Sequence, residues 1–495
     1  MPHAYQELTD YYQKMIMLGN IQSMLTWDQQ TMLPAKSGAA RAEQLAFIAR
    51  LQHEYMTADA MKSGLAAASN ENLSEIEQAN LQEMNRHYQR CTAIDAELSA
   101  ALIQAKSTCQ MAWEAAKKDD NFDAVTPYLE KLLDLVREEA VAMAQVYDCD
   151  KYEALYRSYH PYGTEADLKD IFSEVENFLP SLLQEIIEKQ KSQIIYEIDS
   201  EVDVTTQHQF ATDMAQLMGF DFDKGRFDLS THPFTGGIAD DVRMTSRYYA
   251  DNPLYGFAAM VHEFGHSLYD ANFPKKWRHD AIGQSFNMGM VVHESQSLIW
   301  ERQILINPAF WQFMAPKMKD AFGLSDQVGS AENLYNLTAR VEPDFIRTDA
   351  DEVTYPLHVL MRYQLEKSMV NGDLSVKELP AAWAEKSQKL LGITPENDVL
   401  GCMQDIHWYG GAFGYFPCYA LGAMLAAQMF EHAQSALPNL DADLAQGDYA
   451  GFSTWLHDNI HNQGGRYQPD QLIERVTGQK LNPQIFEKYL RGKYL

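Results

Sequence analysis

Along the first third of the chain, apolar residues recur three and four apart amid Glu, Gln, Lys and Arg, the pattern of amphipathic helices laid side by side. It predicts a helix over 6–33 that ends before Pro34, with Trp27 and Asp28 near its close. Long antiparallel helices are expected over 39–67, 73–117 and 124–148, broken near Asn70-Glu71-Asn72 and Asp119-Asp120-Asn121. A coiled-coil scaffold is the rival for this third. Irregular spacing and polar residues at would-be core positions weigh against it. His160-Pro161-Tyr162-Gly163 interrupts the pattern, Thr164 is placed to cap a helix over 166–193, and Pro180 marks a candidate kink.

The patterning changes over 194–205, which reads as extended before a helix near 206–218. Residues 226–234 and 241–249 read as two short strands joined through Thr235-Gly236-Gly237. Such a sheet, with His232 and the strand around 241–245, would form one wall of a cleft that holds an extended peptide by its backbone. Helical spacing returns through 255–270 and 289–301, then over 329–342 and 354–370, with a charged loop at 343–353. Residues 401–432 are rich in Gly and aromatics as far as Tyr419 and then turn into an apolar helix from Ala420. Short helices close the chain over 447–492. The expected fold is mainly α, with a deep groove and a small β-sheet beside a central helix. It forms one domain over 1–495, with a helical portion over about 1–195 and a site-bearing portion over about 196–495.

Composition narrows the function. The 46 % apolar content is ample for a large core, while the net charge of -29 argues against nucleic acid and for a self-repelling surface. Any anionic substrate group would need local arginines, because the bulk field opposes it. Five scattered cysteines (Cys91, Cys109, Cys149, Cys402 and Cys418) without a CxxC pair fit a reducing compartment. Met1 leads directly into polar sequence, and no eighteen-residue apolar run is present, so neither secretion nor membrane spanning is expected.

The chemistry centres on His262-Glu263-Phe264-Gly265-His266. On a helix the two histidines lie one turn apart on one face, where two imidazoles grip one divalent ion. Glu263 beside them is the candidate general base. Phe257, Met260, Val261, Phe264 and Leu268 surround the motif at helical spacing, so the helix is largely buried, and polar groups there need a metal or a cavity. Gly265 costs helix propensity, which implies close packing.

The third ligand is sought in Gly289-Met290-Val291-Val292-His293-Glu294, where Glu294 lies far enough on for a return pass. His293 is its rival, but adjacent helical residues point about 100 degrees apart, so one of the two is a ligand. Glu294 is preferred, because a His2Glu set is the recognised catalytic arrangement for zinc. Asp270, one turn beyond His266, is placed either to accept that residue's remaining ring N–H or simply to end the helix.

Further motifs recur in order: His232-Pro233-Phe234, Asp241-Val242-Arg243-Met244-Thr245, HEFGH and His293-Glu294-Ser295-Gln296. Ile346-Arg347-Thr348-Asp349-Ala350-Asp351 and Gly401-Cys402-Met403-Gln404-Asp405-Ile406-His407-Trp408 complete the set. With Trp27-Asp28-Gln29, Pro34 and Arg41-Ala42-Glu43-Gln44 ahead of it, this series resembles the carboxypeptidase Taq, or thermostable carboxypeptidase, family of metallocarboxypeptidases. Cys418 departs from the threonine or other small residue expected there.

The resemblance implies a helical, deep-grooved fold related to neurolysin and angiotensin-converting enzymes, a cytoplasmic homodimer, and broad release of C-terminal residues supported by zinc or cobalt. It implies that Arg347 holds the substrate carboxylate, where the residues alone leave a partnership with Asp349 or Asp351 equally open. By the same resemblance His232, His407 and one tyrosine serve substrate or transition state, with Tyr419 preferred to Tyr415. HExxH by itself does not separate an exopeptidase from a zinc oligopeptidase that cuts inside short peptides. An inactive helical binding protein that keeps a metal is the third reading, and the intact motif set disfavours it.

Overall fold

The computed structural model describes residues 3–495. Helix α1 (Ala4–Thr31) folds back on α2 (Gly38–Thr57) and α3 (Asp59–Ala68), and α4 (Glu75–Thr92) joins them. Leu8, Tyr12, Ile16, Met56, Met61, Leu65 and Met84 bury one another in a small core that also takes in Ala281. Helices α5 (Ala96–Lys118), α6 (Phe122–Tyr147), α7 (Lys151–Tyr156) and α8 (Glu165–Gln190) begin the main core, which continues to Tyr494.

Chain breaks follow local capping chemistry. The helix expected over 73–117 is two, because Asp95 accepts a hydrogen bond from the Leu98 backbone N–H and starts α5 anew. The helix expected over 39–67 breaks at Ala58, which is extended between α2 and α3. Thr164 caps α8 as expected, accepting from the Asp167 N–H, and Pro180 lies inside that single helix.

After α9 (Val204–Met218) come β1 (Gly225–Leu229), β2 (Thr235–Ile238) and β3 (Asp241–Ser246), ordered β1-β3-β2. The segment expected to connect two strands is itself the third strand. Thr235 to Ile238 pair antiparallel with Met244 to Asp241 through a two-residue turn, so β1 meets β3 in parallel. Gly237 permits this hairpin: its φ is +93°, and a Cβ there would lie 2.1 Å from the Asp241 carbonyl oxygen. The N-terminal helices brace the sheet, with Ser23 donating to the Gly237 carbonyl and Trp27 packed on Phe234.

Helix α10 (Pro253–Ala271) starts with proline in its first turn, where the missing N–H costs nothing, and lies against β3. Helix α11 (Gly289–Leu298) crosses it and runs on as a π-helix over Ile299–Leu305. Helices α12 (Pro308–Phe322), α13 (Ala331–Thr338), α14 (Tyr355–Asn371) and α15 (Leu379–Leu391) lead to α16 (Pro417–Ala436), which packs along α11. Helix α13 is shorter than the span expected over 329–342: Ser330 caps its start by accepting from the Asn333 N–H, and the backbone leaves helical geometry at Ala339. Pro417 opens α16 three residues earlier than expected, which puts Tyr419 in its first turn. Helices α17 (Leu440–Leu444), α18 (Ala450–Asn459), α19 (Pro469–Thr477) and α20 (Pro483–Tyr494) close the chain. Among the described residues no helix is long and apolar enough to cross a membrane.

Two glycines set the spacing of the site helices. A Cβ at Gly422 would lie 2.9 Å from the Cβ of Glu294. At Gly265 it would lie 2.3 Å from the Gln296 carbonyl oxygen and 2.7 Å from the Ser297 Cα, so α10 and α11 touch backbone to backbone. Gly265→Ala gains about 1 kcal/mol of helix propensity. The clash is with backbone, which cannot swing aside, and overpacking of this kind costs about 1–3 kcal/mol. A net loss of stability is expected in denaturant titration, together with weaker metal binding as the helices part. An unchanged midpoint would show that the helices yield without cost.

Candidate active site

A groove enclosing about 1120 Å³ runs past α10, α11 and the sheet. Its walls carry Phe234 and Thr235 on one side and Arg347, Tyr355, Tyr415 and Tyr419 on the other, with His262, Glu263, His266 and Glu294 between them. The His–x3–His spacing on α10 brings the two imidazole rings within 5.0 Å. Glu294 reaches across from α11, its Oε1 3.9 Å from His262 Nε2 and its Oε2 3.5 Å from His266 Nε2. These three side chains present ligand atoms that all lie within 4.8 Å of one another.

The donor set fits one divalent cation. Both imidazoles turn Nε2 toward Glu294 and have Nδ1 engaged elsewhere, the arrangement in which ligating histidines are fixed by outer partners. His262 Nδ1 meets Glu301 Oε2 at 2.5 Å. Glu301 stands on the π-helix and is also paired with Arg302 at 2.9 Å. Burial disfavours charge on His262, yet the hydrogen bond and charge of Glu301, with Glu294 and Glu263 beyond, lift its pKa to about 9. Burial also opposes the Glu301 charge, but Arg302 and His262 bring that carboxyl down to about 2. Two imidazoles amid three buried carboxylates thus form a strongly cation-seeking pocket.

Glu263 is held from the sheet. The Thr235 hydroxyl lies 2.7 Å from Glu263 Oε2 and 3.0 Å from the Glu263 carbonyl oxygen, which locks the side chain beside the histidines. Thr235 had been expected only as part of a connection, and its role follows from its place on the edge strand.

Arg347 is 5 % exposed and lies on a single turn of 3-10 helix, Arg347–Asp349. Its partner is neither Asp349 nor Asp351. Its Nε and Nη2 fork onto Asp405 Oδ1 at 3.2 and 2.9 Å, and Nη1 donates to the Tyr355 hydroxyl at 3.2 Å. Asp351 is occupied in capping the chain, accepting from the Val353 and Thr354 N–H groups. Asp405 also accepts from Arg362 Nε at 2.7 Å, so two guanidiniums share one carboxylate. Burial works against the Arg347 charge and Asp405 outweighs it, holding the guanidinium well above its usual range. Burial and then the nearby Arg347 bring Arg362 down to about 10, against the pull of Asp405, which leaves it charged at neutral pH. One positive charge is therefore left over in a strongly acidic chain.

Two residues expected at the substrate do not line the groove. His232 is exposed, and its carbonyl accepts from the Ser230 hydroxyl at 2.5 Å. The wall next to it begins at Pro233. His407 stands behind Tyr419, its Nε2 3.3 Å from the phenol oxygen, and burial with Arg347 nearby lowers its pKa to about 4. A neutral His407 can therefore orient Tyr419 without facing the groove itself.

A helical body with a deep groove, HExxH on one helix and a glutamate from the next, defines a metallopeptidase of the HExxH type. Residues 7–494 match the family model described as carboxypeptidase Taq (M32) metallopeptidase, and the chain belongs to that family. Thermostable carboxypeptidase 1 of Thermus thermophilus is 36 % identical over 99 % of this chain and 98 % of its own length. Metallocarboxypeptidase 1 of Trypanosoma cruzi superposes with a TM-score of 0.96 at 33 % identity, covering 99 % of each chain. The M32 carboxypeptidase of Deinococcus radiodurans R1 gives 0.94 at 33 % identity over 99 % of this chain and 98 % of its own. With its ligand set intact, the protein is a metal-dependent carboxypeptidase that releases C-terminal residues from peptides.

Proposed function

We propose that Arg347 selects the free C-terminus, and that Glu263 and Tyr419 carry the proton transfer and the oxyanion. The observation that supports the first assignment is the local balance behind the wall, where the single carboxylate of Asp405 is shared between Arg347, which lines the groove, and the buried Arg362. A terminal carboxylate completes that balance, and a planar guanidinium is the group that binds it with direction.

His262, His266 and Glu294 would hold a divalent ion, which would supply a water of lowered pKa and polarisation of the scissile carbonyl. Glu263 Oε1 is free of the Thr235 hydrogen bond and takes a proton from the attacking water, later passing it to the leaving nitrogen. Burial holds the Tyr419 phenol well above its usual range, so its O–H stays a donor for the carbonyl oxygen as negative charge builds. Zinc is the ion that two imidazoles and a carboxylate suit best, with cobalt a working substitute; metal analysis of purified protein tests this. The resemblance supports a cytoplasmic homodimer, and the five unpaired cysteines fit a reducing compartment; sedimentation and cell fractionation test the two.

The decisive experiment pairs two enzymes with two substrates. Arg347→Lys keeps the charge but lacks the fork, so kcat/KM on an N-blocked peptide with a free carboxylate is expected to fall by about 2 kcal/mol or more, roughly thirtyfold. The C-terminally amidated twin, already poor, should lose far less. Equal fractional losses on both peptides would show that Arg347 only braces Asp405 and Tyr355. Internal cleavage of the amide at full rate would make the enzyme an oligopeptidase.

A further inference from the structure

The two metal-site histidines have their second ring nitrogens held in different ways. His262 Nδ1 meets a carboxylate directly. His266 Nδ1 meets another ring nitrogen, His293 Nδ1, at 2.7 Å. His293 Nε2 in turn lies 3.2 Å from Asp270 Oδ1, to which the Ser285 hydroxyl also donates at 2.5 Å. The interposed His293 is 3 % exposed, stacked on Phe286 at a centroid separation of 5.0 Å and met edge-on by Tyr269. Of the two roles the sequence leaves open for Asp270, direct acceptance from His266 and a plain helix end, the structure shows neither: His293 stands between Asp270 and His266.

A contact between two Nδ1 atoms holds a single hydrogen. If His266 turns the lone pair of Nε2 to a metal, its own hydrogen is on Nδ1 and donates to His293 Nδ1. A neutral His293 then carries its hydrogen on Nε2, where it donates to Asp270. With both rings neutral and His266 Nε2 turned to a metal, every atom of the chain is satisfied in this order, and reversing the bond between the rings sets a lone pair of His293 Nε2 against the Asp270 carboxylate. We infer that His293 and Asp270 are positioning residues that fix the ligating tautomer and ring angle of His266, with His293 relaying the Asp270 carboxylate across a gap it cannot close. The inference rests on the reading of His262, His266 and Glu294 as metal ligands.

The test measures zinc affinity of the full-length protein by competition with a chromogenic chelator, in wild type, H293A, H293Q, D270A, the H293A/D270A double variant and E294A. H293A and D270A are each expected to weaken zinc binding about 10- to 100-fold, the scale for outer partners of ligating histidines. H293Q should recover most of the loss, since its amide offers both an acceptor for His266 and a donor for Asp270. The double variant should bind no more weakly than H293A alone, because the two residues act in series. Zinc affinity in H293A within about threefold of wild type would overturn the inference, as would equal losses in H293A and H293Q that add fully to that of D270A. Should H293A fail to fold, D270A decides, and unchanged affinity there overturns the relay. Undiminished zinc binding by E294A is a separate failure, that of the ligand reading itself.

Discussion

Chelation of the divalent ion is expected to abolish peptide hydrolysis, and zinc or cobalt to restore it. The expectation follows from the site's composition. Among the described residues His262, His266 and Glu294 form the one group of three or more such side chains able to share a metal. No serine or cysteine nucleophile stands among the residues that line the groove. Cys418, the nearest thiol in sequence to Tyr419, is buried, and burial pushes its pKa well above the usual thiol range, so it supplies no thiolate. Glu294→Ala removes one ligand and leaves two imidazoles, and its metal content by mass spectrometry should fall with activity. Full activity in protein shown to be free of metal would refute the site. Wild-type metal content in E294A would reassign the third ligand to another group, and not to Glu301, which meets His262 on Nδ1, away from the face that Glu294 approaches.

Glu263→Gln should leave the metal in place and lower kcat by at least about a hundredfold, the lower scale for general acid–base catalysis. The exchange conserves size, and the Gln carbonyl can still accept from Thr235. Only the proton-carrying function is lost. Comparing metal content with turnover separates the two roles, since a merely structural glutamate would cost stability or metal before it cost chemistry. The Thr235 contact sharpens the expectation: Thr235→Val removes the hydroxyl that holds Oε2 and should lower kcat less than E263Q does, with metal content unchanged. Near-normal turnover in metal-loaded E263Q would move the base to another residue.

Much of this site was legible from residues alone because its first requirement is local. Four residues along a helix is one turn, so His262 and His266 had to share a face once the surrounding apolar spacing made the segment helical. Glu294 over His293 followed from the ligand chemistry of zinc, and the cleft-wall sheet from a change in patterning. Capping residues such as Thr164 marked helix starts because their side chains bond to N–H groups only two or three residues away. Family membership was legible in the order of the motifs.

What only the tertiary structure decided is which charge meets which. Arg347 sits beside two aspartates in sequence yet pairs with Asp405, and shares it with Arg362 from another helix. Glu301 serves His262 across two packed helices, and Thr235 holds Glu263 from a strand that patterning had merged into a turn. His232 belongs to a recognisable motif and still faces outward. The physical reason is common to all four. Periodicity reports the face of an element, because that depends on torsion angles repeated along a few residues. The partner found on that face depends on how elements pack, and glycines at 265 and 422 show it for the metal-site helices, which they let approach closely enough for Glu294 to reach the two histidines.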